Sequence, residues 1–285
     1  MIVTSMDKSE YNFQRCKLCG SKTAEPVYNL GNGSVYSCQN CDFHFLNRLD
    51  CITEHIGESK PLTDKSRRYI EARIHESAQL HPARMDLVQG YIEFNNCKAL
   101  DIGAGLGQFQ QLLSRQGAKT LGIEPSGIRR AYAWEEFGVR LRHELIDDTY
   151  WQSDFTDYFD LITLWDVIEH VDFPRETLEF AIKLLKPEGM LFLETPSREV
   201  LPYTLSQQAY RLSAGKISLF LPSYYPPALY GHKQIFTHNQ IIGLLKQFGV
   251  KIICCKNSYS TSLLPGNKII LAGRKTTPTE ITNSH

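Results

Sequence analysis

Four of the eight cysteines form two Cys-x-x-Cys pairs near the start of the chain. Cys16 and Cys19 form the first pair, and Cys38 and Cys41 form the second after an interval of eighteen residues. Each pair can direct two thiolates at one cation, and two pairs complete the tetrahedral sulfur shell that zinc prefers. The spacing therefore predicts a structural zinc ribbon, because four protein thiolates leave no position for water or substrate. Two redox-active pairs are the alternative, but neither pair begins a helix within a βαβ pattern.

The charge of this N-terminal segment bears on its partners. Residues 1–60 contain six Lys+Arg and seven Asp+Glu, and the whole chain has 31 of each, with a pI near 7.1. Phosphate binding requires a basic surface, so a nucleic-acid partner is not expected. We predict instead that the ribbon packs against the rest of the protein or caps a substrate. His44, three residues past Cys41, is predicted to be a surface or packing residue rather than a metal ligand.

A glycine-rich turn follows an apolar run in the middle of the chain. Asp101 precedes Gly103, Gly105 and Gly107, three glycines at alternate positions where a backbone can pass close to a ligand. A dinucleotide-binding turn requires G-x-G-x-x-G, but the last glycine of that motif is replaced by Gln108. The turn therefore indicates a different ligand, and a simple tight connection between a strand and a helix is the alternative.

Glu124 closes the next predicted strand, seventeen residues past Gly107. A carboxylate at the carboxyl end of a strand, beside a glycine turn, can accept hydrogen bonds from both hydroxyls of a ribose. A solvated charge at the end of a strand is the alternative for Glu124 alone. Together the turn and the carboxylate predict a cofactor that carries a nucleoside.

The segment from Asp101 to Gly107 resembles the cofactor loop of the class I S-adenosylmethionine-dependent methyltransferases. Three further segments resemble motifs of the same family, namely Phe159–Val171, Leu184–Pro196 and Gly231–Thr237. The resemblance covers residues 97–275. It implies that the chain binds S-adenosylmethionine through Asp101, Gly103, Gly105, Gly107, Glu124 and Asp166. For Asp166, the alternative is that it caps the N-terminus of the short turn that follows.

The four-cysteine segment joined to such a domain is similar to bacterial methyltransferases that act on sugars, sugar nucleotides or secondary metabolites. Sugar C-methyltransferases of this kind carry a further C-terminal domain and often an acidic residue where this chain has Gly231. The resemblance therefore implies O- or N-methylation rather than C-methylation. An RNA methyltransferase with a zinc module and a non-catalytic methyltransferase-like scaffold are the two alternatives.

Methyl transfer requires an aligned acceptor, a water-free site and a group that removes the acceptor's proton. Histidine suits proton removal because its pKa lies near neutral pH. His232 follows an aromatic-rich segment, and His170 follows the fourth predicted strand, so both are predicted on the acceptor side. A capping role beside Glu169 is the alternative for His170, and His143 is predicted to be structural.

The elements that must position these residues alternate between strands and helices. Such alternation predicts an α/β fold with a mostly parallel sheet, and the resemblance implies a Rossmann-like sheet of seven strands with the last one antiparallel. Upstream, Pro82 is predicted to divide two helices within residues 64–95. Thr237 is predicted to cap the helix after the last motif. The predicted strands cover residues 97–102, 120–124, 139–145, 159–164, 190–194, 250–254 and 268–272.

This organisation predicts a zinc ribbon over residues 1–56, a helical connector over 57–95, a methyltransferase domain over 96–274 and a flexible tail over 275–285. An insertion at 197–231 carries six aromatic residues and is expected to cover the acceptor as a lid, with a packed subdomain or a homodimer contact as alternatives. Apolar residues make up 42% of the chain, which excludes global disorder. No apolar run approaches ~18 residues and no signal peptide is evident, so we expect a cytoplasmic protein without a membrane span.

Overall fold

The computed structural model describes residues 11–31, 33–50, 62–228, 230–258 and 266–277. The predicted boundary between ribbon and connector, at residues 56 and 57, and most of the predicted tail lie outside these ranges. The N-terminal part begins with three antiparallel strands, β1 (Ala24–Asn29), β2 (Ser34–Cys38) and β3 (His44–Leu46). Both cysteine pairs lie at one end of this small sheet.

Two helices follow, α1 (Asp64–Ala78) and α2 (His81–Gln89). Pro82 lies in the first turn of α2, as predicted, because a proline there removes no helical hydrogen bond. Val88 of α2 is fully buried in the apolar cluster on one face of the main sheet. The connector is thus packed against the sheet.

The main sheet contains six strands in the order β5-β4-β6-β7-β10-β9. The first four strands in this order are parallel, and β10 is antiparallel to both of its neighbours. The class I methyltransferase arrangement and its antiparallel last strand are confirmed. The elements that complete the chain are β4 (Lys98–Ile102), α3 (Gln108–Arg115), β5 (Lys119–Ile123), α4 (Gly127–Phe137), α5 (Thr149–Asp154), β6 (Phe159–Trp165), α6 (Pro174–Leu184), β7 (Leu185–Pro196), α7 (Leu201–Leu212), α8 (Leu221–Tyr224), β8 (Gln234–Ile235), α9 (His238–Gln247), β9 (Val250–Asn257) and β10 (Lys268–Lys275).

The predicted third strand, Val139–Leu145, is wrong for the part of the chain that the structure describes. Only an isolated parallel bridge forms there, between Ile123 and Arg142. Two backbone hydrogen bonds hold that bridge to the edge of β5, and the chain then turns into α5, a helix that the sequence did not predict. Val139 and Leu141 pack against Gly107 and Gly122, but the chain leaves the edge after Arg142, so the pairing does not extend into a strand.

Helices cover both faces of the sheet, so its central strands are apolar along their length. In β6, six of the seven residues are buried. One face packs against α5, α6 and α9, where Trp151, Leu178 and Leu245 are buried completely. The other face packs against α2 and α3. Among the described residues, no helix is both long and apolar enough to cross a membrane.

The insertion packs against the N-terminal sheet. Strand β8 lies just past the end of the insertion. It pairs with β3 and extends the N-terminal sheet to four strands. Tyr203 and Tyr225 are fully buried, and their hydroxyls hydrogen-bond to each other at 2.8 Å. His44 completes this buried network through its Nδ1, 2.9 Å from the Tyr203 hydroxyl, so it is a packing residue as predicted. The expected aromatic lid is therefore wrong for these two tyrosines, because their hydroxyls find partners in the interior.

Candidate cofactor and acceptor site

The three glycines of the turn after β4 differ in what surrounds them. All three have positive φ, at 70° for Gly103, 58° for Gly105 and 72° for Gly107. A Cβ on Gly103 would lie 2.5 Å from Val167, and one on Gly107 would lie 2.6 Å from Val139. A Cβ on Gly105 would meet no atom within 4 Å. Two of the glycines therefore permit close packing, and only Gly105 leaves open space for a ligand.

That space belongs to a cavity of about 410 Å³ at the carboxyl edge of the sheet. Helices α1 and α2 close one side of it, and the residues after β4 and β6 close the other. No described residue of the insertion lines it. The cavity brings together five of the predicted site residues with groups from the connector, and its lining includes Ile70, His81, Arg84, Asp101, Gly103, Gly105, Phe109, Trp165, Asp166, His170 and Lys268.

Glu124 lies beside the glycine turn and holds it in place. Its Oε2 accepts a hydrogen bond from the Gly105 backbone at 2.9 Å, and its Oε1 accepts one from Ser126 at 2.8 Å. Burial raises the pKa of Glu124, against the opposing charge of Arg129 and the two backbone donors. A carboxylate has about four acceptor positions, so both oxygens retain capacity for further donors such as hydroxyls.

Asp101 lies on the floor of the cavity near the end of β4. Its Oδ1 accepts a hydrogen bond from the Thr163 hydroxyl at 2.7 Å, and its side chain is buried. Burial raises the pKa of Asp101 to about 7, against the Thr163 bond and the charge of Arg84. A buried carboxyl with a raised pKa favours a ligand with positive charge, because such a charge stabilises the ionised form.

Four charged side chains form a cluster, of which Arg84, Asp166 and Lys268 line the cavity and Glu194 pairs with Arg84 and Lys268. Asp166 lies 2.7 Å from both Arg84 and Lys268, and Glu194 lies 2.9 Å from Arg84 and 2.8 Å from Lys268. Burial by itself would raise the pKa of Glu194, but its bonds to Arg84 and the charge of Lys268 lower it below the ordinary value. The cluster thus presents balanced positive and negative charge to a ligand.

Three members of this cluster were missed in the sequence. Glu194 lies near the carboxyl end of β7, and the strand-end argument that identified Glu124 applies to it equally. Lys268 begins an antiparallel strand, which places it at the same edge as the ends of the parallel strands. Arg84 lies on α2, and nothing in the sequence indicated that it would reach the cavity.

His170 and His232 come together although they are far apart in sequence. Their ring centroids are 4.7 Å apart with planes inclined by 56°, and His170 lines the cavity. The Nδ1 of His232 donates to the Tyr224 carbonyl at 3.2 Å, which leaves its Nε2 as the acceptor in the neutral ring. Burial lowers the pKa of both rings, that of His170 to about 3, so both are neutral at neutral pH.

The capping alternative for His170 lacks the required geometry. Glu169 is fully buried and accepts a hydrogen bond from the Thr195 hydroxyl at 2.8 Å. Its other oxygen lies 3.7 Å from the Nε2 of His170, which is too long for a hydrogen bond. Burial raises the pKa of Glu169 to about 8, so the pair is neutral near neutral pH. His143, by contrast, lies away from the cavity with its Nδ1 3.6 Å from Glu144.

The two cysteine pairs converge on one point. The sulfurs of Cys16 and Cys41 are 3.6 Å apart, as are those of Cys19 and Cys38, and all four lie within 4.8 Å of one another. Zinc–sulfur bonds of about 2.3 Å in a tetrahedron place the sulfurs about 3.8 Å apart, whereas a disulfide requires about 2.05 Å. Gly20, after the first pair, has the positive φ of 75° that such a turn favours. The residues present fit a tetrahedral zinc shell.

A family profile described as a methyltransferase domain matches residues 64–254, about two thirds of the chain. The chain belongs to this methyltransferase family. Curated relatives named ubiquinone biosynthesis O-methyltransferase include one from Colwellia psychrerythraea, 23% identical over 67% of this chain and 80% of the relative. Another, from Pseudoalteromonas translucida, is 25% identical over 75% of this chain and 84% of the relative.

Solved structures share the same fold. An S-adenosylmethionine-dependent methyltransferase from Mesorhizobium loti aligns with a TM-score of 0.51 and 16% identity, over 66% of this chain and 96% of that one. A methyltransferase from Methanosarcina mazei aligns with a TM-score of 0.51 and 15% identity, over 67% and 97% of the two chains. These likenesses show that the chain has the fold of S-adenosylmethionine-dependent methyltransferases, and the family match makes it a methyltransferase.

Proposed function

We propose that this methyltransferase transfers a methyl group to a hydroxyl oxygen of a small molecule. The neutral histidine pair at the cavity carries the proposal, because a hydroxyl acceptor must lose a proton during the transfer. His170 faces the cavity, and His232 lies against it with its Nε2 as the acceptor nitrogen. N-methylation of an amine that is already neutral would not need such a base.

The residues that we assign to the cofactor lie in this cavity or directly beside it. S-adenosylmethionine, when bound, supplies an activated methyl group on a positively charged sulfur. Asp101 and Asp166 offer carboxylates to the ammonium end of the donor, and Glu124 offers acceptors to its ribose. The cations Arg84 and Lys268 complement a carboxylate, so the balanced charge cluster suits a zwitterionic amino-acid group. Gly103, Gly105 and Gly107 shape the turn, with Gly105 at the donor.

The histidines would act on the acceptor rather than on the donor. The Nε2 of His232 takes the hydroxyl proton while an oxygen lone pair forms the new bond to the methyl carbon. The methyl group would come from the bound donor, whose positively charged sulfur would retain the electron pair of the broken carbon–sulfur bond. Burial keeps His232 unprotonated at neutral pH, and this is the state that a base requires before the transfer. His170 then orients the acceptor against the cavity wall.

The acceptor class is proposed on two grounds. The four-cysteine module resembles that of methyltransferases for sugars, sugar nucleotides and natural-product intermediates. The relatives named ubiquinone biosynthesis O-methyltransferase favour a phenolic hydroxyl as the second candidate. Ile70, Phe109 and Trp165 give the cavity an apolar wall that suits either a sugar ring or a phenol.

A transfer assay with radiolabelled donor tests this proposal. The panel comprises nucleotide sugars, catechols and other phenols, primary amines and total RNA. Methylation of a hydroxyl in one of the first two groups supports the proposal. Labelling of RNA alone would overturn it in favour of the nucleic-acid alternative. Tight binding of S-adenosylhomocysteine without turnover of any acceptor would instead support the scaffold alternative.

Replacing Glu124 by alanine is expected to weaken S-adenosylhomocysteine binding by about 2–3 kcal/mol, because two hydrogen bonds to the ribose are lost. Isothermal calorimetry on wild type and variant measures the change. Glu144→Ala is the control, since Glu144 lies outside the cavity and pairs with Arg142. Equal affinity in wild type and Glu124→Ala would refute the ribose role.

We also propose one structural zinc ion held by Cys16, Cys19, Cys38 and Cys41. Cys38→Ser is expected to unfold the N-terminal sheet, because metal binding supplies much of the folding free energy of such a small module. Elemental analysis should give one zinc per wild-type chain and none in the variant, and limited proteolysis should cleave the variant within residues 11–50. A wild-type protein without zinc after metal-sparing purification would contradict the proposal. Homodimer formation and the domain boundaries at 56, 95 and 274 stay predictions.

A further inference from the structure

Lys233 is a buried cation beside the histidine pair. Its side chain is 1% exposed, and its Nζ lies 2.7 Å from Asp50 and 3.1 Å from Asp172. The same nitrogen donates to the backbone carbonyl of His170. Removing a charged amine from water is costly, so three acceptors around it are needed to hold it there. None of these contacts belongs to the cofactor side of the cavity.

Lys233 and its partners come from three separate segments. Asp50 follows β3 of the N-terminal sheet, Asp172 follows the turn that carries His170, and Lys233 itself follows His232. The backbone reinforces the junction, because the amide of Lys233 donates to the Glu169 carbonyl at 2.7 Å. The Lys233 ammonium is therefore a common centre for the two histidine segments and the N-terminal module.

Three further hydrogen bonds to the N-terminal module fix the chain just before His232. Arg48 donates to the carbonyls of Pro226 and Ala228, at 3.3 Å and 3.2 Å. The backbone of Tyr230 donates to the Asp50 carboxylate at 3.2 Å. Residues 226, 228 and 230 are therefore held by Arg48 and Asp50, which follow Cys41 by fewer than ten positions.

We propose that Asp50 and Lys233 are positioning residues that hold His170 and His232 in register, so that the N-terminal module is part of the acceptor side of the site. The inference rests on the proposed acceptor role of these histidines. Their rings are 4.7 Å apart, and a displacement of about 1 Å from a remote change is enough to cost about 10²-fold in rate. An ion pair that serves stability alone would not have to contact both segments.

Carbon-13 labelling of histidine rings tests the proposal without an acceptor. His170→Gln and His232→Gln assign the two ring signals in a two-dimensional spectrum. In Lys233→Met, both signals should shift or broaden, while the affinity for S-adenosylhomocysteine stays within twofold of wild type. Lys233→Arg should restore the signals in part because it keeps the charge. Lys275→Met is the matched control, since Lys275 forms a lysine–aspartate pair with Asp157, 2.7 Å away and outside the site.

Unmoved histidine signals in a folded Lys233→Met protein would overturn the proposal. If that variant does not fold, the double variant Asp50→Asn, Lys233→Met is tested in the same way. Loss of Lys233 leaves two carboxylates without their cation, and the second substitution removes one of these charges. With an acceptor identified, kcat should fall about 10²-fold in the folded variant with little change in cofactor affinity. Shifted signals in Lys233→Met combined with wild-type turnover in His232→Ala would refute the catalytic role of His232 but support the positioning role of Lys233. The two proposals can therefore fail separately.

Discussion

Replacing His232 by alanine should lower the rate of methyl transfer by about 10²–10⁴-fold, the range that a well-placed general base contributes. Affinity for S-adenosylhomocysteine should stay nearly unchanged, because His232 contacts His170 and the Tyr224 carbonyl rather than the glycine turn. Single-turnover kinetics with the acceptor found in the screen measures the first quantity, and calorimetry measures the second.

The pH dependence gives this prediction a second readout. Burial places the pKa of His232 below its ordinary value of 6.5, against the opposing effects of the Tyr224 carbonyl and Asp166. A base must be unprotonated, so the wild-type rate should fall as the pH drops below 6.5, through that lowered pKa. The acid limb should vanish in His232→Ala. His143→Ala is the control, because His143 lies outside the cavity and should retain the full rate and profile.

Other outcomes would assign different roles. A fall of only a few-fold with a raised acceptor KM would mean that His232 orients the acceptor without taking its proton. Wild-type kinetics in His232→Ala would remove this residue from the mechanism. His170→Ala would then decide, since His170 is the ring that lines the cavity directly.

The other large effect is expected at Gly105. Gly105→Val should abolish cofactor binding, because its Cβ would project into open space next to the Glu124 carboxylate, where the donor is proposed to lie. The positive φ of 58° adds backbone strain for a β-branched residue. Calorimetry should show no detectable heat with S-adenosylhomocysteine, and thermal unfolding should show no stabilisation by this ligand.

Gly138 offers a matched control for this substitution. It has a positive φ of 65° at the end of α4, and a Cβ there would also meet no atom within 4 Å. Gly138→Val therefore introduces similar strain away from the cavity and should bind the ligand normally. Retained binding in Gly105→Val would show that the donor lies elsewhere. Lost binding in both variants would show that strain, rather than occupation of the donor space, is responsible.

Local sequence signals were enough to place the predicted cofactor residues at one edge of the sheet. Helix α4 spans Gly127–Phe137 as predicted, and the predicted cap Thr237 accepts a hydrogen bond from the backbone of Gln240. These features depend on residues close together in the chain, where a glycine, a cap or a strand end has a direct conformational meaning. The carboxyl ends of parallel strands meet at one edge, so the positions of Asp101 and Glu124 followed from their strands alone.

Edges and insertions were less predictable. The segment Val139–Leu145 has the composition of a weak strand, but pairing at an edge depends on the neighbour's geometry, and only one bridge forms. The aromatic insertion suggested a lid over the acceptor. Tyr203 and Tyr225 instead bury their rings against the N-terminal sheet, because that sheet offers an apolar face and His44 offers a polar partner.

The sequence by itself determined the family, the glycine turn with its acidic partner and a cysteine spacing suited to zinc, because each is a short-range pattern with a specific chemistry. Only the tertiary structure showed that Arg84 and Lys268 line the cavity and that Glu194 pairs with both of them. It likewise showed that Asp50 reaches Lys233 beside the two histidines. Pairings between charges 74 or more residues apart depend on how the connector, the strands and the N-terminal sheet pack together, and such packing cannot be read from a short stretch of sequence.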